Sequence, residues 1–345
     1  MKKYDHYIAI DWALHNMAVA KMTGKTKKIT VTEVPSDVGE MKVYLQQLKG
    51  TKILCIEETT PAQWLFVELR EHVDELIVCD PYRNKLLNEG PKNDKIDAVK
   101  LVKLLEAGLL KPVFHSLDDL MKLRKLARGY ENTIKFGVRF KNQRSAILRG
   151  LGFDSEGSAP EGSAESFVIK GIDEALKLYE KERERYEAEF RKIRNKLPEV
   201  KQLESIPGIG LIGAIKILAV VIDPKRFPDK GNWLSYCGLV KHDMISGGRN
   251  YGKRTPRHNR MLKCVFKTAA ISCLNEHPSL YRKNNGDQAG ALKRYYDELI
   301  KGNKTTFNAR HAVARRIAVI ALGILKSKTK FDDRWRENEH VPLAI

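Results

Sequence analysis

Short apolar runs, each bounded by turn residues, fill the first hundred positions, and long amphipathic stretches replace them after about residue 116. Tyr7-Ile8-Ala9-Ile10-Asp11-Trp12 has the length and continuous apolar character of a central strand and ends in an acid. His15 to Met22 and Ile29 to Val34 read as further strands, with Thr23-Gly24-Lys25 as the turn between them. Ser36-Asp37 can cap a helix that runs through Leu48 and closes at Gly50. Ile53-Leu54-Cys55-Ile56 is another buried strand with Glu57-Glu58 at its end, and Pro61 suits the first turn of a helix to about His72. Leu76 to Pro81 is a further apolar strand, followed by a helical pattern and then by Asn93-Asp94-Lys95-Ile96-Asp97-Ala98. Strands that come first and later alternate with helices predict a mixed sheet covered by helices.

From about Ser116 to Gly150 the spacing predicts one long helix rich in Lys and Arg, which suits a solvated face and a nucleic-acid backbone equally well. Residues 152–166 are small and polar with one proline, a loop or linker composition. Ile172, Leu176, Tyr179, Arg183, Tyr186, Phe190, Ile193 and Leu197 then alternate at spacings of four and three. That is a heptad seam carrying one charge, to be covered either by the earlier helix or by a partner subunit, and it predicts a coiled coil that helps build an oligomer. Pro198 stops the helix. Leu203 to Ala214 includes Ile206-Pro207-Gly208-Ile209-Gly210, the pattern of a helix-hairpin-helix, whose turn at Gly208 and Gly210 can present backbone N–H groups to a phosphate. A helix around Trp233 to Cys237 precedes a hairpin-like stretch over Lys241 to Gly252; the remainder reads as basic helices and, after Lys326, a polar tail.

Composition changes the picture in one respect. At 345 residues with 42% apolar and 30% charged positions, the chain has the make-up of a soluble globular protein of two or three domains. Lys and Arg number 62 against 43 acids, a net charge of +19, which points to a polyanionic partner. The five cysteines form no Cys-x-x-Cys pair, which argues against a zinc site and for a reducing compartment. No apolar run has the length of a membrane span, so a cytoplasmic, nucleoid-associated location is expected.

Two clusters carry candidate chemistry. Asp94 and Asp97 stand three apart at the start of a helical pattern and so share a face. Asp11 and Glu57 end strands that would be neighbours, at the sheet edge where ligands collect. Four acids so placed suit Mg2+ (or Mn2+), a hard cation that takes carboxylate oxygens. In the second cluster Ser246 precedes Gly247-Gly248, and Arg249, Lys253, Arg254, Arg257 and Arg260 follow with scarcely an acid among them. An open hydroxyl among cations can attack a phosphate whose developing charge those cations offset.

Taken in order, the acid after the first strand, Glu57-Glu58-Thr59-Thr60, the Asp-x-x-Asp-Ala helix, Ile-Pro-Gly-Ile-Gly and Gly-Leu-Val…Ser-Gly-Gly resemble the DEDD insertion-sequence transposases of the one-hundred-and-ten class, which include Piv-type DNA invertases. The resemblance implies an RNase H/RuvC-like domain over residues 1–112, with Asp11, Glu57, Asp94 and Asp97 as metal ligands and Glu58 as a second candidate beside Glu57. It implies a helical, coiled-coil oligomerisation region over 113–198, a transposase domain over 199–330 with Ser246 as nucleophile, and a tail over 331–345. Double-stranded donor and target DNA, a structured non-coding guide RNA, and a homodimer or homotetramer are the partners it implies. A metal-dependent nuclease or junction resolvase, in which water attacks and Ser246 is structural, is the alternative; a passive nucleic-acid-binding protein is a third.

Overall fold

A computed structural model describes residues 3–82, 93–118, 120–154, 157–274 and 290–332. The chain divides into two compact units, Met1–Asp118 and Asp119–Ile345. The helical pattern expected between the third apolar strand and Asp94 lies largely outside the described residues, as does the end of the expected tail.

The first unit is built on a six-stranded sheet of β1 (His6–Trp12), β2 (Asn16–Thr23), β3 (Ile29–Pro35), β4 (Lys52–Glu57), β5 (Glu75–Cys79) and β6 (Pro112–Val113), in the order β3-β2-β1-β4-β5-β6. β1 is antiparallel to β2 and β2 to β3, β1 and β4 run parallel as do β4 and β5, and β6 closes the edge antiparallel to β5. The sheet is therefore mixed, as the strand-first pattern predicts. Its centre is apolar on both faces because both are covered. On one face Ile8 and Ile10 of β1 pack with Met41, Leu45, Leu65 and Leu69, from α1 (Val38–Gln47) and α2 (Ala62–Leu69). On the other, Tyr7, Ala9, Ile53 and Cys55 pack with Ala98, Leu101, Val102 and Leu105 of α3 (Asp94–Glu106). Alternation with period two thus assigns each strand residue to a face.

Among the described residues the second unit is helical apart from one hairpin. α4 (Leu120–Gly150) and α5 (Ala164–Lys196) run antiparallel: Tyr130 Oη donates to Glu187 at 3.1 Å, Lys141 lies 3.3 Å from Glu180, and Arg144 lies 2.8 Å from Asp173. The partner residue falls along α5 as α4 advances. The seam is accordingly closed by α4 of the same chain, and its one charge, Arg183, pairs with Glu180 at 2.8 Å on its own helix. Leu123, Ala127, Tyr130 and Phe190 of these helices share one core with Val200, Ile215, Trp233, Phe266, Val313 and Ile317. Residues expected as a separate middle region therefore join the C-terminal helices in a single unit. Leu197 is extended, Pro198 opens α6 (Pro198–Glu204), and α7 (Leu211–Val221), α8 (Lys230–Tyr236), α9 (Arg260–Leu274), α10 (Ala291–Lys301) and α11 (Thr306–Ser327) follow among the described residues. The Trp233 indole N–H donates to the carbonyl of Ala318 at 2.7 Å, which satisfies the one polar atom of a fully buried ring.

Candidate active site

Residue Ile10 of β1 stands opposite Ile56 of β4, so Asp11 and Glu57 occupy the same level one step further along two parallel neighbours. Both share parity with Ala9 and Cys55 and so belong to the face covered by α3. α3 starts there. Asn93 caps it by accepting from the backbone N–H of Lys95 at 2.9 Å, which fixes the first turn that carries Asp94 and Asp97. The unsatisfied N–H groups of that turn favour negative charge.

The electrostatics record the convergence. The Asp11 carboxyl is pushed up to about 6, first by burial and then by the charges of Asp94 and Asp97. Lys100 lies 3.4 Å from Asp97, and Lys95 is drawn off to Glu33 at 3.0 Å. The donor set is all carboxylate oxygen, which suits a hard divalent cation rather than a soft one. Among the described residues no three acids, histidines or cysteines are already drawn together tightly enough to enclose an ion. The acids share one edge without forming a closed cage.

Residue Glu58 has a different environment. His115 Nε2 lies 2.5 Å from its Oε2, and His115 Nδ1 lies 2.7 Å from Gln63 Oε1. The Gln63 amide donates to the carbonyl of Ser116 at 3.0 Å, which fixes its orientation. Sequence reasoning missed this clamp: His115 is 57 positions from Glu58, and no periodicity links them.

In the second unit Ser246 is the last residue of β7 (His242–Ser246) and faces Arg249, the first of β8 (Arg249–Arg254). Gly247 and Gly248 form the two-residue turn with φ of +54° and +76°, the left-handed pair that a tight hairpin requires. Every residue of both strands is exposed, including Arg249, Lys253 and Arg254, and Lys253 lies 3.7 Å from Asp243. Arg257 and Arg260 follow, both exposed. Among the described residues no side chain hydrogen-bonds the Ser246 hydroxyl, so no base on the hairpin prepares it for attack.

The two turn glycines expected to meet phosphate part company. Gly208 has φ +81°, and a Cβ there would stand 2.2 Å from the Ala269 carbonyl of α9. Its role here is close packing against that helix. Gly210 is open, and as the N-cap of α7 it leaves the first N–H groups without a side-chain partner.

Family models match the chain twice, in the order of these sites. One, described as Transposase and named for the DEDD transposases of IS110, covers residues 8–153 and so spans all four carboxylates. The other, described as Transposase IS116/IS110/IS902 family, covers residues 200–284 and spans Ser246 and its basic neighbours. Both models describe transposases of the IS110 class, and the chain is similar to that class over residues 8–153 and 200–284. The Insertion element IS110 uncharacterized 43.6 kDa protein of Streptomyces coelicolor is 27% identical over 168 residues, 48% of this chain. The match spans 38% of that relative. Among the described residues no helix is long and apolar enough to cross a membrane.

Proposed function

We propose that this chain cuts and rejoins DNA strands as the transposase of an insertion sequence, through an RNase H/RuvC-like first unit and a serine nucleophile in the second. The observation that carries the reading is the raised Asp11 carboxyl, which ties acids from a strand and a helix into one electrostatic site. Asp11, Glu57, Asp94 and Asp97 would hold Mg2+ (or Mn2+). Bound there, the cation supplies Lewis-acid polarisation of the scissile phosphate and charge neutralisation. Ser246 Oγ attacks phosphorus, forming a Ser–O–P bond as the bond to one deoxyribose oxygen breaks. The serine proton is lost and the departing sugar oxygen takes one up. A second sugar hydroxyl reverses these steps and regenerates the serine, so the phosphoester bond energy is conserved. Arg249, which pairs with Ser246 across the turn, would offset charge on the phosphate.

Binding draws on the same surfaces. Gly210 and the start of α7 form the phosphate-facing part of a helix-hairpin-helix, and Lys253, Arg254, Arg257 and Arg260 contact the DNA backbone without reading its bases. A homodimer or homotetramer and an element-encoded guide RNA complete the assembly in this reading.

The hydrolytic alternative, a RuvC-like nuclease or junction resolvase, draws support from the absence of a base beside Ser246 among the described residues; a Piv-type site-specific invertase is a second alternative, one that also rejoins strands. A suicide DNA substrate separates serine attack from hydrolysis. Covalent protein–DNA adducts with the wild type, lost in Ser246→Ala, support the serine. Adducts that persist in Ser246→Ala, or protein-free cut ends from both proteins, overturn it.

A further inference from the structure

The first turn of α11 carries a large side chain that the core does not use. Phe307 is 67% exposed, although α11 buries Ala309, Val313, Ile317 and Ala321 on its inner face. Phe307, His311 and Arg315 follow one another at intervals of four and so form a single stripe. The Phe307 and His311 rings meet at 4.6 Å with an angle of 62° between them. Lys267 of α9 sets its ammonium 5.9 Å from the Phe307 ring centre, and Lys263 stands one turn earlier on the same helix. Lys241 leads directly into β7, the strand that ends in Ser246.

That these cations converge is legible in His311. Its imidazole is held below its ordinary range, first by burial and then by Lys267, Arg315, Lys263 and Lys241. Four cations from α9, α11 and the root of the hairpin thus surround one neutral ring pair. Among the described residues none of the four forms an ion pair with an acid. The combination matches what a single-stranded nucleic acid needs: charge along the backbone and a flat apolar ledge for a base.

We propose that Phe307 is a stacking platform for an unpaired base of the DNA substrate, with Lys263, Lys267, Arg315 and Lys241 holding the backbone on either side and leading the strand toward the hairpin of Ser246. A duplex keeps its bases stacked on each other and cannot use the ring, so the site selects melted or single-stranded DNA. The inference rests on the reading of the chain as an enzyme acting on DNA, and it names a part of that substrate.

The test uses the full-length protein and a fluorescently labelled, mixed-sequence single-stranded DNA of about 20 nucleotides, longer than the roughly 4–16 nucleotides that single-strand sites occupy, read by anisotropy. Phe307→Ala should weaken binding on the order of tenfold, the loss expected for one stacked base. Phe307→Tyr should restore it to within about threefold, since stacking needs only an aromatic face. Binding of the same sequence as a duplex should change less than about twofold, the size of a site that leaves phosphate contacts intact. Because the side chain lies outside the core, unfolding temperature should be unchanged. Three results overturn the proposal: equal single-strand affinity for wild type and Phe307→Ala, equal loss for strand and duplex, or a loss confined to an RNA of the same sequence.

Discussion

Replacing Asp11 by Asn should stabilise the metal-free protein, because the native carboxylate is held against its own charge. Burial, then Asp94 and Asp97, raise it from 3.8 to about 6. That difference corresponds in full to about 3 kcal/mol. Asp11 keeps partial access to water, and solvent screening reduces the figure to about 1–2 kcal/mol. The sign follows from which state holds the proton more tightly. The folded carboxyl binds it better than the unfolded one, so its favourable contribution is complete below about pH 4 and is lost as pH rises through about 6. Above that, the ionised group is a net cost that Asn does not carry. Thermal unfolding of full-length protein in EDTA should therefore show the first unit melting roughly 3–12 °C higher in Asp11→Asn at pH 7.5, converging with wild type near pH 4. Added Mg2+ should raise the wild-type transition and leave that of the variant where it is. A variant no more stable than wild type at pH 7.5 without metal, or curves that run parallel from pH 4 to 8, would refute the claim that these acids repel one another.

Three further outcomes are expected. Gly208→Ala should destabilise the second unit by about 2–4 kcal/mol, since a side chain there needs both a left-handed backbone and displacement of the Ala269 carbonyl; Gly210→Ala, in open space, should cost less than about 1 kcal/mol by urea unfolding. His115→Ala should cost about 1–2 kcal/mol by leaving Glu58 and Gln63 without their shared partner, and Phe66, whose ring lies 5.6 Å from the imidazole, supplies a fluorescence-neutral site at which the change can be followed by NMR. Duplex binding should weaken steeply with salt, and Arg254→Ala should reduce the slope of log K against log salt by about 1 if that side chain meets a phosphate.

Much of the first unit could be read from the sequence because its strands are short and buried on both faces, so apolar runs such as Ile53 to Ile56 mark them without ambiguity. The acids were legible for the same reason: each sits at the end of such a run or at a capped helix start. The second unit was harder. Heptad spacing in α5 reports that a partner exists but not whose it is, and only the pairing of Arg144 with Asp173 and Tyr130 with Glu187 identifies α4 of the same chain. Gly208 illustrates a second limit. A glycine in a turn is equally explained by a phosphate and by a helix backbone passing close to it, and the Ala269 carbonyl is invisible from 61 positions away in sequence. Phe307 escaped notice altogether, since one aromatic in an amphipathic helix normally belongs to the core.

The distinction between Glu57 and Glu58 rests on parity, and parity also sets how fragile the candidate site is. Glu57 shares its face with Ile53 and Cys55, the face α3 covers, while Glu58 follows the strand's end and is taken by His115 and, through it, Gln63. A single-residue slip of β4 against β1 would exchange the two and would also turn Leu54 and Ile56 away from α1 and α2. The apolar alternation that builds two cores therefore also selects which carboxylate shares a sheet face with Asp11. The clamp reinforces that choice, because a Glu58 held 2.5 Å from His115 is not available to enter the site and add a further charge to an already crowded set. Repulsion among Asp11, Asp94 and Asp97 is tolerated because the sheet register and the Asn93 cap fix their backbones before any cation arrives. A set of acids whose backbones the fold holds in place, with Lys100 beside Asp97, would gain most from a cation that enters together with a phosphate.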